Sequence, residues 1–186
     1  METHVRITDA DGPRVVHFQE YWVRLHAAVD AEAIVPVGAD TAKPAPGVLE
    51  ALAEADVVLL PPSNPVVSIG TVLAVPGIRE AVAGASAPVI GLSPIVGGAP
   101  VRGMADKVLA AVGVETSAAA VAEHYGSRAS GGLLDGWLVD SSDADVVARV
   151  EAAGITCRAV PLMMSSVEAT AEMARTALAL AAEVAA

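Results

Sequence analysis

Aromatic residues, lysines and cysteines are scarce in this chain. Aromatic side chains make up 3% of its 186 residues, so Val, Ala, Leu and Ile have to build the core of one domain. Cys157 is the single cysteine, which excludes an intrachain disulfide and favours a reducing compartment. No run approaches the roughly 18 apolar residues of a membrane span, and no leader pattern opens the chain. These absences predict a cytoplasmic protein without a membrane partner.

Positive charge is also sparse, because the formal net charge is −11 and only Lys43 and Lys107 are lysines. The nine arginines are scattered along the chain and form no basic stripe. A polyanion such as nucleic acid needs a continuous basic surface, so the composition excludes nucleic acid as a partner. Isolated arginines can still bind a single nucleotide.

Short apolar runs alternate with helix-compatible segments through most of the chain. Near-continuous apolar runs are typical of a parallel sheet that is covered on both faces. The pattern predicts a Rossmann-like α/β fold, with a mostly parallel sheet and helices on both faces. The predicted strands are Ala33–Val37, Val57–Leu60, Val89–Leu92, Trp137–Val139 and Arg158–Leu162.

Caps and apolar spacing predict the helices. Pro46 fits the first turn of a helix that continues over Val48–Ala55. Asp143 is expected to cap a helix that Gly154 ends, and Ser165 or Ser166 to cap the alanine-rich last helix. Two apolar stripes are expected to be buried, the second against the chain's own sheet or a partner subunit. They are Met104, Val108 and Val112, and then Val167, Ala171, Ala174, Leu178 and Ala181.

The N-terminal segment has a different pattern. Met1–Ile7 is predicted to be a strand, Asp11–Pro13 a tight turn and His17–Arg24 a helix. Further along, the sequence of Gly126–Gly132 is typical of a flexible surface loop.

Two loops that follow apolar strands carry the polar groups of a binding site. After Leu60, two prolines end the strand, and Ser63, Asn64 and Ser68 offer donors near a helix start. After Leu92 the second loop contains the three candidates Gly97, Gly98 and Arg102. If the two strands are neighbours, both loops face one crevice at the carboxyl edge of the sheet, where open α/β sheets bind ligands. Ordinary β–α turns are the alternative, since the common phosphate and nucleophile motifs are absent.

Three ordered motifs resemble the 2-phospho-L-lactate transferase family, whose actinobacterial members are phosphoenolpyruvate transferases. The motifs are Pro62–Gly70, Ser93–Gly98 with Arg102-Gly103, and His17–Arg24. The resemblance implies synthesis of the deazaflavin coenzyme factor 420. In that reaction a hydroxyl of the deazaflavin alcohol attacks the phosphorus of a guanosine-diphosphate-linked donor, GMP leaves and Mg²⁺ assists. It also implies site residues: Ser63, Asn64, Ser68, Gly97, Gly98 and Arg102 for the nucleotide, with His17 and Arg24 near the phosphates or acceptor.

Members of that family are nearly twice as long as this chain. Residues 1–186 are therefore expected to be the C-terminal part of a single α/β transferase domain, with an incomplete sheet. The resemblance places the Mg²⁺ ligands in the missing first half and none in this chain. A nucleotide-sugar-binding regulatory module of similar fold and an inactive truncated fragment are the alternatives. The sequence leaves open whether the donor carries a lactyl or an enolpyruvyl group. It also leaves open whether the chain forms a homodimer.

Overall fold

Two larger β-sheets and a two-stranded hairpin organise the chain in the computed structural model, which describes residues 1–186. The strands are β1 Glu2–Asp9, β2 Gly12–His17, β3 Ala31–Val37, β4 Val58–Leu60, β5 Val89–Leu92, β6 Ile95–Val96, β7 Ala99–Pro100, β8 Gly136–Asp140 and β9 Thr156–Val160. The helices are α1 Val48–Glu54, α2 Gly70–Leu73, α3 Ile78–Ala83, α4 Ala105–Ala111, α5 Ala118–Tyr125, α6 Val147–Ala152 and α7 Val167–Val184. Two π-helical turns lie at Glu20–Arg24 and Pro65–Ile69, and two 3₁₀-helical turns lie at Arg128–Ser130 and Ser141–Val146.

The parallel sheet has the strand order β4-β5-β8-β9. Helices α1, α3, α4, α5 and α6 contribute to the larger core on one face, and α7 covers the other face. Both faces of β5 and β8 are buried, as their apolar sequences require. Trp137 is fully buried in the larger core, and its Nε1–H donates to the Ala118 carbonyl at 3.1 Å. The predicted α/β fold with helices on both faces is therefore confirmed.

The N-terminal strands form a separate antiparallel sheet with the order β2-β1-β3. The strand predicted at 1–7 and the turn after it are confirmed as a β1–β2 hairpin, in which Gly12 has φ 98°. The predicted strand Ala33–Val37 exists as β3, but it pairs with β1 and not with the parallel sheet. One face of this sheet is buried against α4, where Val5 and Ile7 are fully buried.

Several predicted boundaries are wrong by a few residues. Asp143 is not a helix cap, because Asp140 caps the turn Ser141–Val146 and Asp143 lies inside it. Strand β9 begins and ends two residues before the predicted Arg158–Leu162. Pro46 precedes Gly47, which is the N-cap of α1, and therefore lies outside the helix. The helix predicted at His17–Arg24 is confirmed from Phe18 onward, with Glu20–Arg24 as a π-helical turn, and only His17 lies outside it because His17 ends β2.

The predicted buried faces are partly wrong as well. Met104 and Val108 are buried against the antiparallel sheet, but Val112 follows α4 and is 41% exposed. Helix α7, capped by Ser166, turns Met173, Ala177, Leu180 and Ala181 toward the parallel sheet. Val167 is 81% exposed, and Leu178 is also exposed. None of the helices combines the length and hydropathy needed to span a bilayer.

The segment Gly126–Gly132 is anchored, in contrast to the flexible loop predicted from its composition. Ser127 is buried, and its Oγ donates to the Gly154 carbonyl at 2.7 Å. The Arg128 guanidinium donates to the carbonyls of Ala85 and Ala87 and forms an ion pair with Asp135 at 2.8 Å. The segment therefore holds the ends of several core elements together.

Candidate functional site

A cleft of about 380 Å³ lies at the carboxyl edge of the parallel sheet. The segments that follow β4, β5, β7 and β9 form its walls, as expected for an open α/β sheet. Its lining residues are Pro62, Asn64, Ser93, Pro94, Val96, Val101, Arg102, Ala105, Leu162, Met163 and Met164. The two loops selected from the sequence therefore do face one crevice.

Asn64 shapes the first wall. Proline lacks the N–H that a strand needs, so β4 ends at Leu60, before Pro61 and Pro62. The Asn64 side-chain oxygen then accepts hydrogen bonds from Val66 N–H at 2.9 Å and Val67 N–H at 3.0 Å, which caps the turn Pro65–Ile69. Because that oxygen is engaged, the side-chain amide N–H₂ is the part of Asn64 that remains for a ligand.

The hairpin β6–β7 forms part of the second wall. Ser93, which is almost fully buried, bonds through its Oγ to both the N–H and the carbonyl of Ile95, and this fixes the start of the hairpin. Gly97 and Gly98 form its two-residue turn with φ values of 59° and 75°, a conformation that glycine adopts without strain. Their N–H groups donate to the Asp143 carboxylate at 2.8 and 3.2 Å. These two donors are therefore occupied within the chain.

Asp140 holds the wall that follows β9. One oxygen of its carboxylate accepts from Ser142 N–H and Oγ, and the other accepts from Leu162 N–H at 2.8 Å. Burial raises the pKa of this carboxyl group, but the three hydrogen bonds outweigh burial and leave the pKa below its ordinary value. Asp140 thus stays ionised and holds Leu162 in place ahead of the exposed pair Met163 and Met164.

Arg102 is the only charged side chain among the lining residues. It forms no ion pair with any residue of the chain and is exposed to solvent. The surrounding surface consists largely of Pro, Val, Leu and Met side chains. In a chain with a net charge of −11, this cleft suits a ligand that has one anionic group beside an apolar body.

The structure brings together only some of the residues selected from the sequence. Asn64 and Arg102 line the cleft. Ser63 and the exposed Ser68 belong to the same loop as Asn64 but do not line the cleft. Gly97 and Gly98 lie in the adjoining hairpin.

His17 and Arg24 are associated with the antiparallel sheet and do not line the cleft. The His17 ring packs edge-on against His4, with ring centroids 5.4 Å apart. The Arg24 guanidinium is largely exposed and pairs with Glu20 at 3.4 Å.

Sequence reasoning missed the roles of Asp140, Asp143 and the segment Leu162–Met164. The signal was present, because Asp140 and Asp143 follow the predicted strand Trp137–Val139, and Leu162–Met164 lies at the end of the predicted strand Arg158–Leu162. Both strands end at the same edge of the sheet. The long-range hydrogen bonds that reveal their roles join segments 22 to 46 residues apart.

The chain does not fit a Mg²⁺ ion with its own residues. No group of three His, Cys, Asp or Glu side chains is arranged to hold a metal ion. The two buried carboxylates nearest the cleft walls, Asp140 and Asp143, accept hydrogen bonds from N–H and O–H groups instead.

A family model and curated relatives both match almost the whole chain. Residues 1–176 match the family model described as 2-phospho-L-lactate transferase CofD. The chain is 79% identical over 184 residues to the phosphoenolpyruvate transferase of Kitasatospora aureofaciens and 75% identical over 185 residues to that of Streptomyces coelicolor. Each alignment covers 99% of this chain and 56% of the relative, so the chain spans little more than half the length of these proteins.

A solved structure has a similar fold. A member of the UPF0052 family from Bacillus halodurans aligns with a TM-score of 0.58 and 17% sequence identity. The alignment covers 96% of this chain and 58% of that one. At this identity the likeness shows the fold alone.

Proposed function

Because this chain belongs to the 2-phospho-L-lactate transferase CofD family, we propose that its cleft binds the nucleotide in a phosphoryl-group transfer reaction. The donor is guanosine diphosphate whose terminal phosphate carries an enolpyruvyl or L-lactyl group, and the names of the relatives favour the enolpyruvyl donor. The acceptor is the alcohol precursor of a deazaflavin coenzyme. The acceptor oxygen forms a bond to the phosphorus that bears the transferred group, its proton is released, and the bond from that phosphorus to GMP breaks.

In this reaction the chain's own residues bind and orient the donor. The Arg102 guanidinium offers several donors to phosphate oxygens, and the Asn64 amide N–H₂ can donate from the segment that follows β4. Phosphoryl transfer depends on in-line placement and on neutralised charge more than on covalent catalysis. The apolar side chains around Arg102 leave its guanidinium as the single charged group that an anion meets in this cleft.

The observation that carries the proposal is the single unpaired cation in an apolar cleft at the carboxyl edge of the sheet. No acidic side chain in the lining opposes a phosphate. The family match covers residues 1–176 and so includes every residue that lines this cleft.

Calorimetric titration with GDP tests the proposal. We expect the chain to bind GDP and Arg102→Ala to weaken the affinity roughly tenfold or more, the range of a lost charge-assisted hydrogen bond. Arg6→Ala is the matched control, because Arg6 is another exposed arginine without an ion pair and lies on β1. Tighter binding of a UDP-sugar than of GDP would favour the regulatory module, and no nucleotide binding by the folded chain would favour the inactive fragment.

A further inference from the structure

Asp143 is a buried carboxylate that has no role in the proposed transfer reaction. It is 6% exposed and joins two segments that lie 45 or 46 residues apart. Its oxygens accept from Gly97 N–H at 2.8 Å and Gly98 N–H at 3.2 Å. Its own backbone, with φ −108° and ψ 25°, leaves the helical conformation inside the turn Ser141–Val146. This departure occurs at the residue whose side chain reaches the hairpin.

The contact has a specific electrostatic character. Successive N–H groups in a left-handed turn form a small concave site that attracts an anion. Here the chain's own carboxylate fills that site with charge-assisted hydrogen bonds, which are stronger than neutral ones. The glycine turn therefore has no free donors for a ligand phosphate.

The hairpin needs such an anchor because it is very short. Only two residue pairs join its strands, Ile95 with Pro100 and Val96 with Ala99, and isolated two-stranded hairpins are marginally stable. Val96 lines the cleft from one arm, and Arg102 lines it just beyond the other arm. The position of the only cation in the cleft thus depends on a turn that Asp143 holds.

We propose that Asp143 is a positioning residue, which holds the β6–β7 hairpin so that Arg102 meets the anionic group of the ligand. The inference rests on the proposed function, since it assigns Asp143 to the same nucleotide cleft. Asp143 itself does not touch the ligand.

Titration of Asp143→Ala with GDP and, separately, with inorganic pyrophosphate tests this role at a temperature where the variant is folded. We expect roughly tenfold weaker binding of the probe. Asp145→Ala is the matched control, because Asp145 is an exposed acid of the same turn, and it should bind like the wild type. Asp143→Asn, which keeps one side-chain oxygen as an acceptor, should lose less affinity and serves if the alanine variant does not fold.

Chemical rescue separates positioning from a general loss of stability. Sodium formate should restore part of the affinity of Asp143→Ala, because a small carboxylate can occupy the vacated site between the two glycine N–H groups. It should have no such effect on the wild type.

The outcomes distinguish this inference from the proposed function. If the wild-type chain binds pyrophosphate but not GDP, the proposed function is contradicted. The positioning role of Asp143 is then tested by comparing the pyrophosphate affinities of the wild type and Asp143→Ala. Equal affinity of the wild type and Asp143→Ala for the probe that binds overturns the positioning role. No binding of either probe overturns both.

Discussion

Replacing Arg128 with alanine should destabilise the fold more than removing any other arginine. Its guanidinium donates to the carbonyls of Ala85 and Ala87 and pairs with Asp135 at 2.8 Å. The same Asp135 carboxylate oxygen accepts from Val89 N–H at 2.8 Å at the start of β5. Arg128→Ala would remove a hydrogen-bond donor from two carbonyls and one carboxylate near the start of β5.

The magnitude follows from burial. Breaking a fully buried ion pair costs about 3–5 kcal/mol of unfolding free energy. The Arg128 and Asp135 side chains are 20% and 27% exposed, so water recovers part of this cost. We expect a loss of about 3 kcal/mol, which lowers the Tm of a chain of this size by roughly 6–12 °C.

Urea denaturation, followed by circular dichroism, gives the required free energy. Arg175→Ala is the matched control, because Arg175 pairs only with Glu172, three residues earlier on α7, and both side chains are largely exposed. That variant should change the stability by no more than about 0.5 kcal/mol. A loss below about 1 kcal/mol for Arg128→Ala would refute the argument that this segment anchors the core.

Three further predictions follow from other buried groups. Gly91→Ala should cost about 1–3 kcal/mol in urea denaturation, because its Cβ would lie 2.4 Å from the Trp137 ring, and an unchanged midpoint would contradict this. Burial raises the pKa of Cys157 to about 12, which lowers its thiolate fraction at pH 8 roughly a thousandfold, so iodoacetamide should label the folded chain far more slowly than the unfolded chain; equal rates would contradict the burial. The pKa of Asp140 in the folded chain lies below its ordinary value of 3.8, so the ionised carboxylate stabilises the fold above pH 3.8. This stabilisation is lost as the pH falls through the lowered pKa. When the pH is lowered from 7 to 3, the Tm of Asp140→Asn should therefore fall by less than the Tm of the wild type. An equal fall in Tm for both proteins would contradict this role of Asp140.

The parallel sheet could be predicted because its strands are continuous apolar runs with helical segments between them. Val89–Leu92 was predicted with the bounds that the structure has. Strand β3 has similar composition, but its place beside β1 depends on a pairing between distant segments, which composition does not encode. In α7 the apolar side chains occur on several sides, so spacing alone could not identify the face that Met173 and Leu180 bury.

The candidate site was predictable only in outline. The two loops could be placed at one edge because parallel strands end there together. The partners of the Gly97 and Gly98 donors could not be predicted, because Asp140 and Asp143 are both suitable helix caps by residue type. Which of them caps the turn depends on the residue at which β8 ends.

Helix α4 belongs to both cores of the molecule. Met104, just before it, and Val108 pack with the antiparallel sheet, while Ala105 and Leu109 pack in the larger core beneath the parallel sheet. Neither sheet can lose its structure without exposing one side of this helix to water. The two sheets should therefore melt in one cooperative transition, and a weakened contact in the N-terminal sheet should lower the stability of the whole chain.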